Sequence, residues 1–101
     1  MDLDVTHDAQ AHKFYAVVDG REAKIEYAEA GSGAGRTLDL RHTFVDPALR
    51  GKGVGEALVS RTLQMARQEG VHVIPTCPFI KKYLAAHPEA GEGVVAPPAG
   101  R

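Results

Sequence analysis

Arg50-Gly51-Lys52-Gly53-Val54-Gly55 sets three glycines at alternate positions beside two cations, where a strand-like pattern gives way to a helical one. Glycines so spaced let the backbone approach a ligand with no Cβ in the way. The first N–H groups of a helix lack intrahelical partners, and with the helix dipole they favour an anion. The chemistry this suggests is the holding of a phosphate. A glycine-rich turn that merely opens a helix is the plainer reading of the same residues. Two familiar nucleotide loops fit poorly. A Walker loop follows Gly-Lys with Ser or Thr, whereas Gly53 follows Lys52. A dinucleotide fingerprint runs G-x-G-x-x-G, whereas these glycines run G-x-G-x-G.

Two further residues have reactive side chains near this loop in the expected layout. Cys77 follows an apolar strand pattern and precedes Pro78, a helix-opening residue. A helix N-terminus lowers a thiol's pKa and favours the nucleophilic thiolate. Equally, an unpaired cysteine is often a small buried apolar residue. His42 lies on the strand leading into the loop, and its imidazole titrates near neutrality, which suits a general base. A histidine satisfied at the core's edge is the competing reading. Neighbouring strands for His42 and Cys77 allow a hydrogen bond between them.

Several elements must position these groups. Lys13 to Val18 is rich in β-formers, Asp19-Gly20 is a hairpin turn signal, and Glu22 to Tyr27 alternates polar with apolar residues. Residues before Lys13 form either a frayed entry or a short edge strand. Gly31 to Gly35 reads as a loop. Thr37 to Val45 alternates again, which places Leu38, Leu40, His42 and Phe44 on one face, until Asp46-Pro47 ends it. Apolar residues from Gly53 to Glu69 recur at helical spacing, with Val54, Leu58, Thr62, Met65 and Ala66 in one stripe and Gly70 as the stop. Val71 to Thr76 is a short buried strand. The strand–helix–strand order predicts a parallel pair joined by a right-handed crossover. A second helix is expected from Phe79 to His87, and Gly91 to Arg101 reads as a flexible tail, which makes 1–90 the single domain.

The bulk numbers exclude several classes of function. At 101 residues there is room for one domain. A net charge of −1 does not suit a general nucleic-acid binder. A single cysteine rules out an internal disulfide or Cys-rich zinc site, and the histidines lack metal-ligand spacing, so no metal is expected. No signal peptide or membrane-length apolar run stands out, and the chain reads as a cytoplasmic protein, either a monomer or a weak homodimer.

Arg50, Gly53 and Gly55 spell Arg-x-x-Gly-x-Gly. With His42-Thr43-Phe44-Val45 before the loop, and Cys77-Pro78-Phe79-Ile80, Tyr83 and His87-Pro88-Glu89 after it, the chain resembles the GCN5-related N-acetyltransferases over Phe14 to Glu89. The likeness is to their small single-domain YjdJ-type group. It implies a minimal α/β (α+β) fold: a strand meander, a pyrophosphate loop, a helix, a splayed parallel strand and a short second helix. It also implies acetyl-CoA as co-substrate and an unidentified amine as acceptor. The diphosphate would lie on amides from Gly51 to Gly55, Lys52 and Val54 included, and the pantetheine arm along the backbone of Thr43, Phe44 and Val45. Cys77 would stand near the thioester, as a transient acetyl carrier or as pocket lining. Tyr83 falls roughly where larger members keep a tyrosine that protonates the leaving thiolate; core packing explains it as well. A non-catalytic acyl-CoA-binding module is the alternative function.

Overall fold

The computed structural model describes residues 3–30 and 36–96. A single five-stranded sheet runs in the order β1 (Thr6–Asp8), β2 (Lys13–Val18), β3 (Arg21–Ala30), β4 (Thr37–Val45), β5 (His72–Pro75). The first four strands are antiparallel, and β5 lies parallel to β4 after the crossover helix α1 (Val54–Glu69). Helix α2 (Pro78–Ala86) follows β5. The result is the expected α+β fold, with the entry segment forming a three-residue edge strand. The Asp19-Gly20 turn is present, both residues holding positive φ, 52° and 75°.

The core lies between the sheet and α1. Phe14, Ile25, Leu38 and Leu40 on the inner face of the sheet meet Leu58, Val59, Leu63 and Ala66 of the helix, all buried. Thr62 also lies on this face, and its buried hydroxyl has no hydrogen-bond partner among the described residues. At the far end of α1, Glu69 meets His7 Nδ1 at 2.9 Å, and His7 Nε2 lies 2.6 Å from the Tyr27 hydroxyl. Burial, chiefly, pushes that phenol above its ordinary pKa. This relay fastens the short edge strand to the helix.

Two expectations need correction. Strand β4 carries a bulge: Tyr27 pairs with Leu40 and its neighbour Glu26 with His42, which leaves Arg41 as the extra residue. An extra residue inverts the alternation beyond it. Leu38 and Leu40 therefore share the inner face with Thr43 and Val45, the partners of Ile25 and Ala23, while His42 and Phe44 turn to the outer face with Glu26 and Lys24. The second correction concerns the tail. Val94 is fully buried. Val73 donates its N–H to the Val94 carbonyl at 2.8 Å, and Ala96 returns one to Val73 at 2.8 Å. Arg67 reaches the carbonyl of Glu92 at 2.7 Å. Residues 91–96 thus cover the free edge of β5 and fill a core position. The expected 31–35 loop and the rest of the tail, 97–101, lie outside the described residues.

Candidate acetyl-CoA site

Strands β4 and β5 pair only from Thr37–His72 to Leu40–Pro75. One more bond, from the Cys77 N–H to the Leu40 carbonyl at 2.9 Å, closes the shared edge. The Asp39 carboxylate accepts a hydrogen bond from the Thr76 hydroxyl at this point, and chiefly for that reason is held below its ordinary pKa, with Arg41 adding to the effect. Beyond it the strands part. Asp46 donates its N–H to Glu22 of β3 at 3.1 Å. By strand alternation the backbone groups of Phe44 face β3 too, and those of Thr43 and Val45 face the gap.

The gap opens into a cavity of about 310 Å³. Thr43 and Val45 line it from β4, Leu49, Arg50, Gly51 and Gly53 from the loop, Val54, Gly55 and Glu56 from α1, and Phe79 from α2. The loop starts from a 3-10 turn at Pro47–Leu49, where the Asp46 side chain accepts from the Ala48 N–H. Gly51 and Gly53 both hold left-handed φ, 78° and 79°, on either side of Lys52. Alternation of this kind turns successive N–H groups toward one point, an anion-binding nest. Gly53 caps α1 without a side-chain hydrogen bond, and the first helical bond runs from Ala57 to Gly53 at 3.0 Å. Among the described residues the N–H groups from Gly51 to Glu56 meet no acceptor. Arg50 is braced by its Nε on the Val45 carbonyl at 3.1 Å, which sets a guanidinium beside the nest. Such a row of unpaired donors with a fixed cation fits a diphosphate.

Gly55 has a different reason to be glycine. A Cβ there would lie 2.9 Å from Phe79 Cζ. The contact between α1 and α2 crowds a side chain at this position.

Cys77 stands at the N-cap of α2, 5% exposed, behind the cavity wall. Its Sγ lies 3.3 Å from Thr43 Oγ1. Burial pushes the thiol up, but the Thr43 hydroxyl and the backbone N–H groups of Ile80, Phe79 and Thr43 outweigh it, and the thiol is held below its ordinary pKa. The sulfur's partner is thus Thr43. The bulge has carried His42 to the other face of the sheet, so the hydrogen bond that neighbouring strands would allow between His42 and Cys77 is not made.

Of the other residues singled out in the sequence, Lys52 is exposed beside the loop, and Phe44 turns its backbone groups to β3 and its side chain to the outer face, away from this region. Tyr83 lines a neighbouring groove with Phe79, Lys82 and His87. Leu49 and Glu56 line the cavity though no motif marked them, and so does Phe79, which the resemblance marked without giving it a role. The signal for Phe79 was its place one residue after the helix-opening Pro78, where a side chain faces the neighbouring helix start.

The GCN5-related N-acetyl-transferase family profile matches residues 13–93. The chain belongs to the GCN5-related N-acetyltransferases. The chain is 33% identical over 86 residues to mouse protein NATD1, a match that spans 83% of this chain and 76% of that protein. Human protein NATD1 is 31% identical over 86 residues, spanning 83% and 74%. Among solved structures, the aminoglycoside N-acetyltransferase AAC(6')-Iy in complex with CoA is 23% identical, with a TM-score of 0.41, covering 89% of this chain and 75% of that one. No described helix is long and apolar enough to cross a membrane, and no described cluster of three or more His, Cys, Asp or Glu residues is disposed to hold a metal.

Proposed function

We propose that this chain transfers the acetyl group of acetyl-CoA to an amine. The observation that carries the reading is the unsatisfied row of amides from Gly51 to Glu56, opening onto a cavity that leads to the splay between β4 and β5. Those amides and Arg50 would hold the diphosphate. The Thr43 carbonyl and the Val45 N–H, which face the gap, would pair with the pantetheine arm, in place of the missing strand. The thioester would then lie near Thr43. An amine nitrogen attacks the thioester carbonyl, the C–S bond breaks, and coenzyme A leaves as its thiol after the amine's proton is lost.

A second route runs through Cys77, and the donors around its sulfur favour it. The Cys77 thiolate attacks the carbonyl, coenzyme A departs, and the amine then takes the acetyl group from sulfur and restores the thiol. Thr43 and the α2 amides stabilise the thiolate in this route. His42 lies on the outer face, so an acceptor that uses it as a base would have to arrive from that side. Its role as general base is part of the proposal.

Release of the coenzyme A thiol from acetyl-CoA, measured across a panel of amines and basic peptides, tests the reading. Turnover that is lost in Gly53→Val supports it. Stabilisation by acetyl-CoA in a thermal melt, with no turnover for any amine, makes the chain a non-catalytic acyl-CoA-binding module. Mass spectrometry after incubation with acetyl-CoA separates the two routes, since the Cys77 relay adds one acetyl group that Cys77→Ala cannot carry.

A further inference from the structure

Asp39 stands between Leu38 and Leu40, whose side chains fill the core, so its own side chain lies on the outer face of the sheet. A carboxylate in that position is ordinarily solvated. This one is only 15% exposed, and each of its oxygens has a partner: one accepts from the Thr76 hydroxyl, the other from Arg41 Nε at 3.0 Å. It lies outside the cavity at the loop.

The two partners sit at the two places that bring Thr43 and Cys77 together. Thr76 is the residue before Cys77, and Arg41 is the extra residue of the bulge that turns Thr43 inward. The backbone alone ties this end of β5 loosely. Pro75 ends the strand and Pro78 opens α2, and neither has an N–H, so the four residues from Pro75 to Pro78 hold two amide donors. The Thr76 N–H turns back onto the Ile74 carbonyl at 3.0 Å. The Cys77 N–H is then the one that reaches β4, on the Leu40 carbonyl at 2.9 Å. A single bond is a pivot. A second attachment, from the Thr76 side chain to Asp39, fixes the direction in which Cys77 points. Arg41 is 64% exposed and its pair is screened by water, so the bond from Thr76 to the ionised carboxylate is the stronger tie.

We propose that Asp39 is a positioning residue: by holding Thr76 on the outer face, it aims Cys77 Sγ at the Thr43 hydroxyl on the inner side. Its bearing on acetyl transfer rests on the Cys77 route above, whereas its bearing on the thiol does not.

Cys77 is the chain's one cysteine, so the rate of its alkylation by iodoacetamide across a pH series reads the thiol directly. Asp39→Ala removes a negative charge, which by itself lowers a thiol's pKa. The proposal requires the opposite sign. With the aim lost, Thr43 donates less well, and the thiol's pKa should rise by roughly 0.5–1, the size of one hydrogen bond. Thr76→Val should give the same rise with every charge in place. Asp39→Asn keeps an oxygen that accepts from Thr76 and should restore most of the native profile. In a Thr43→Val chain, Asp39→Ala should add no further rise. Thermal melts confirm that each variant is folded, and if Asp39→Ala is not, Thr76→Val and Asp39→Asn decide the matter. The proposal is overturned if Thr76→Val leaves the thiol's pKa where it was, if Asp39→Ala lowers it, or if Asp39→Ala raises it as much again without the Thr43 hydroxyl. No coenzyme enters this assay, so a chain that binds no acetyl-CoA overturns the coenzyme reading and leaves the role of Asp39 standing.

Discussion

Gly55→Ala puts the contact between the two helices to a quantitative test. Gly55 lies in the first turn of α1, and its φ is not left-handed. Alanine there gains about 1 kcal/mol of helix propensity. Against that gain, the new methyl meets Phe79 Cζ at 2.9 Å, Phe79 Cε2 at 3.3 Å and Val45 Cγ2 at 3.4 Å. Overpacking of this kind costs roughly 1–3 kcal/mol. Val45 belongs to the sheet and cannot retreat, but the Phe79 ring is 36% exposed and can swing outward. The net loss of stability should therefore stay within about 2 kcal/mol, a fall in Tm of at most roughly 8–16 °C for a chain of this size. Binding should suffer more. Phe79 lines the cavity, and its displacement reshapes that wall, so acetyl-CoA affinity should fall by about tenfold or more, equivalent to about 1.4 kcal/mol. Thermal melts with calorimetric titration read both quantities. Phe79→Leu in the same chain should relieve the clash and recover the lost stability. An unchanged affinity, or strictly additive effects in the double variant, would refute the reasoning. Gly53→Ala is the contrasting case: open space surrounds it, and its cost of roughly 1–2 kcal/mol would come from left-handed backbone alone.

Four other perturbations have definite expected outcomes. Thr43→Val removes the hydroxyl beside Cys77 Sγ, so the thiol's pKa should rise and its alkylation by iodoacetamide should slow at neutral pH, as a rate-against-pH series would show. Asp39 has a folded pKa below its ordinary 3.8, so its contribution to stability is present above that pH and is lost as pH falls through the folded value; Asp39→Asn should lower stability at pH 7 and flatten the acid limb of the unfolding curve. Thr62→Val deletes a buried hydroxyl without a partner, and chemical denaturation should find the variant more stable by about 1 kcal/mol. Val94→Ala should cost roughly 2 kcal/mol if the 91–96 segment is part of the core, and almost nothing if it is a loose tail, again by denaturation.

Much of the fold could be read from local patterns, because those patterns are local in origin. The turn at Asp19-Gly20 is set by two residues that tolerate positive φ. Helix α1 follows from apolar residues at helical spacing between Gly53 and Gly70, both of which take left-handed caps. The loop from Arg50 to Gly55 announced itself by glycine spacing, and its meaning as an anion nest was accessible from backbone chemistry alone.

Tertiary structure decided which side chains meet. Alternation along β4 predicts one face for Leu38, Leu40, His42 and Phe44, and nothing within the strand reveals that its pairing with β3 skips Arg41. That one extra residue brings Thr43 to Cys77 and sends His42 to the opposite face. Val94 and its neighbours have a tail's composition, yet the free edge of β5 supplies the hydrogen bonds that recruit them. Gly55 belonged to a sequence motif that suggests a ligand, but only the approach of Phe79 from a separate helix shows that a side chain would be crowded there. Backbone preferences are set by near neighbours and are written along the chain. Register and the contacts between elements depend on residues distant in sequence, and they are fixed only when the whole sheet closes over its helices.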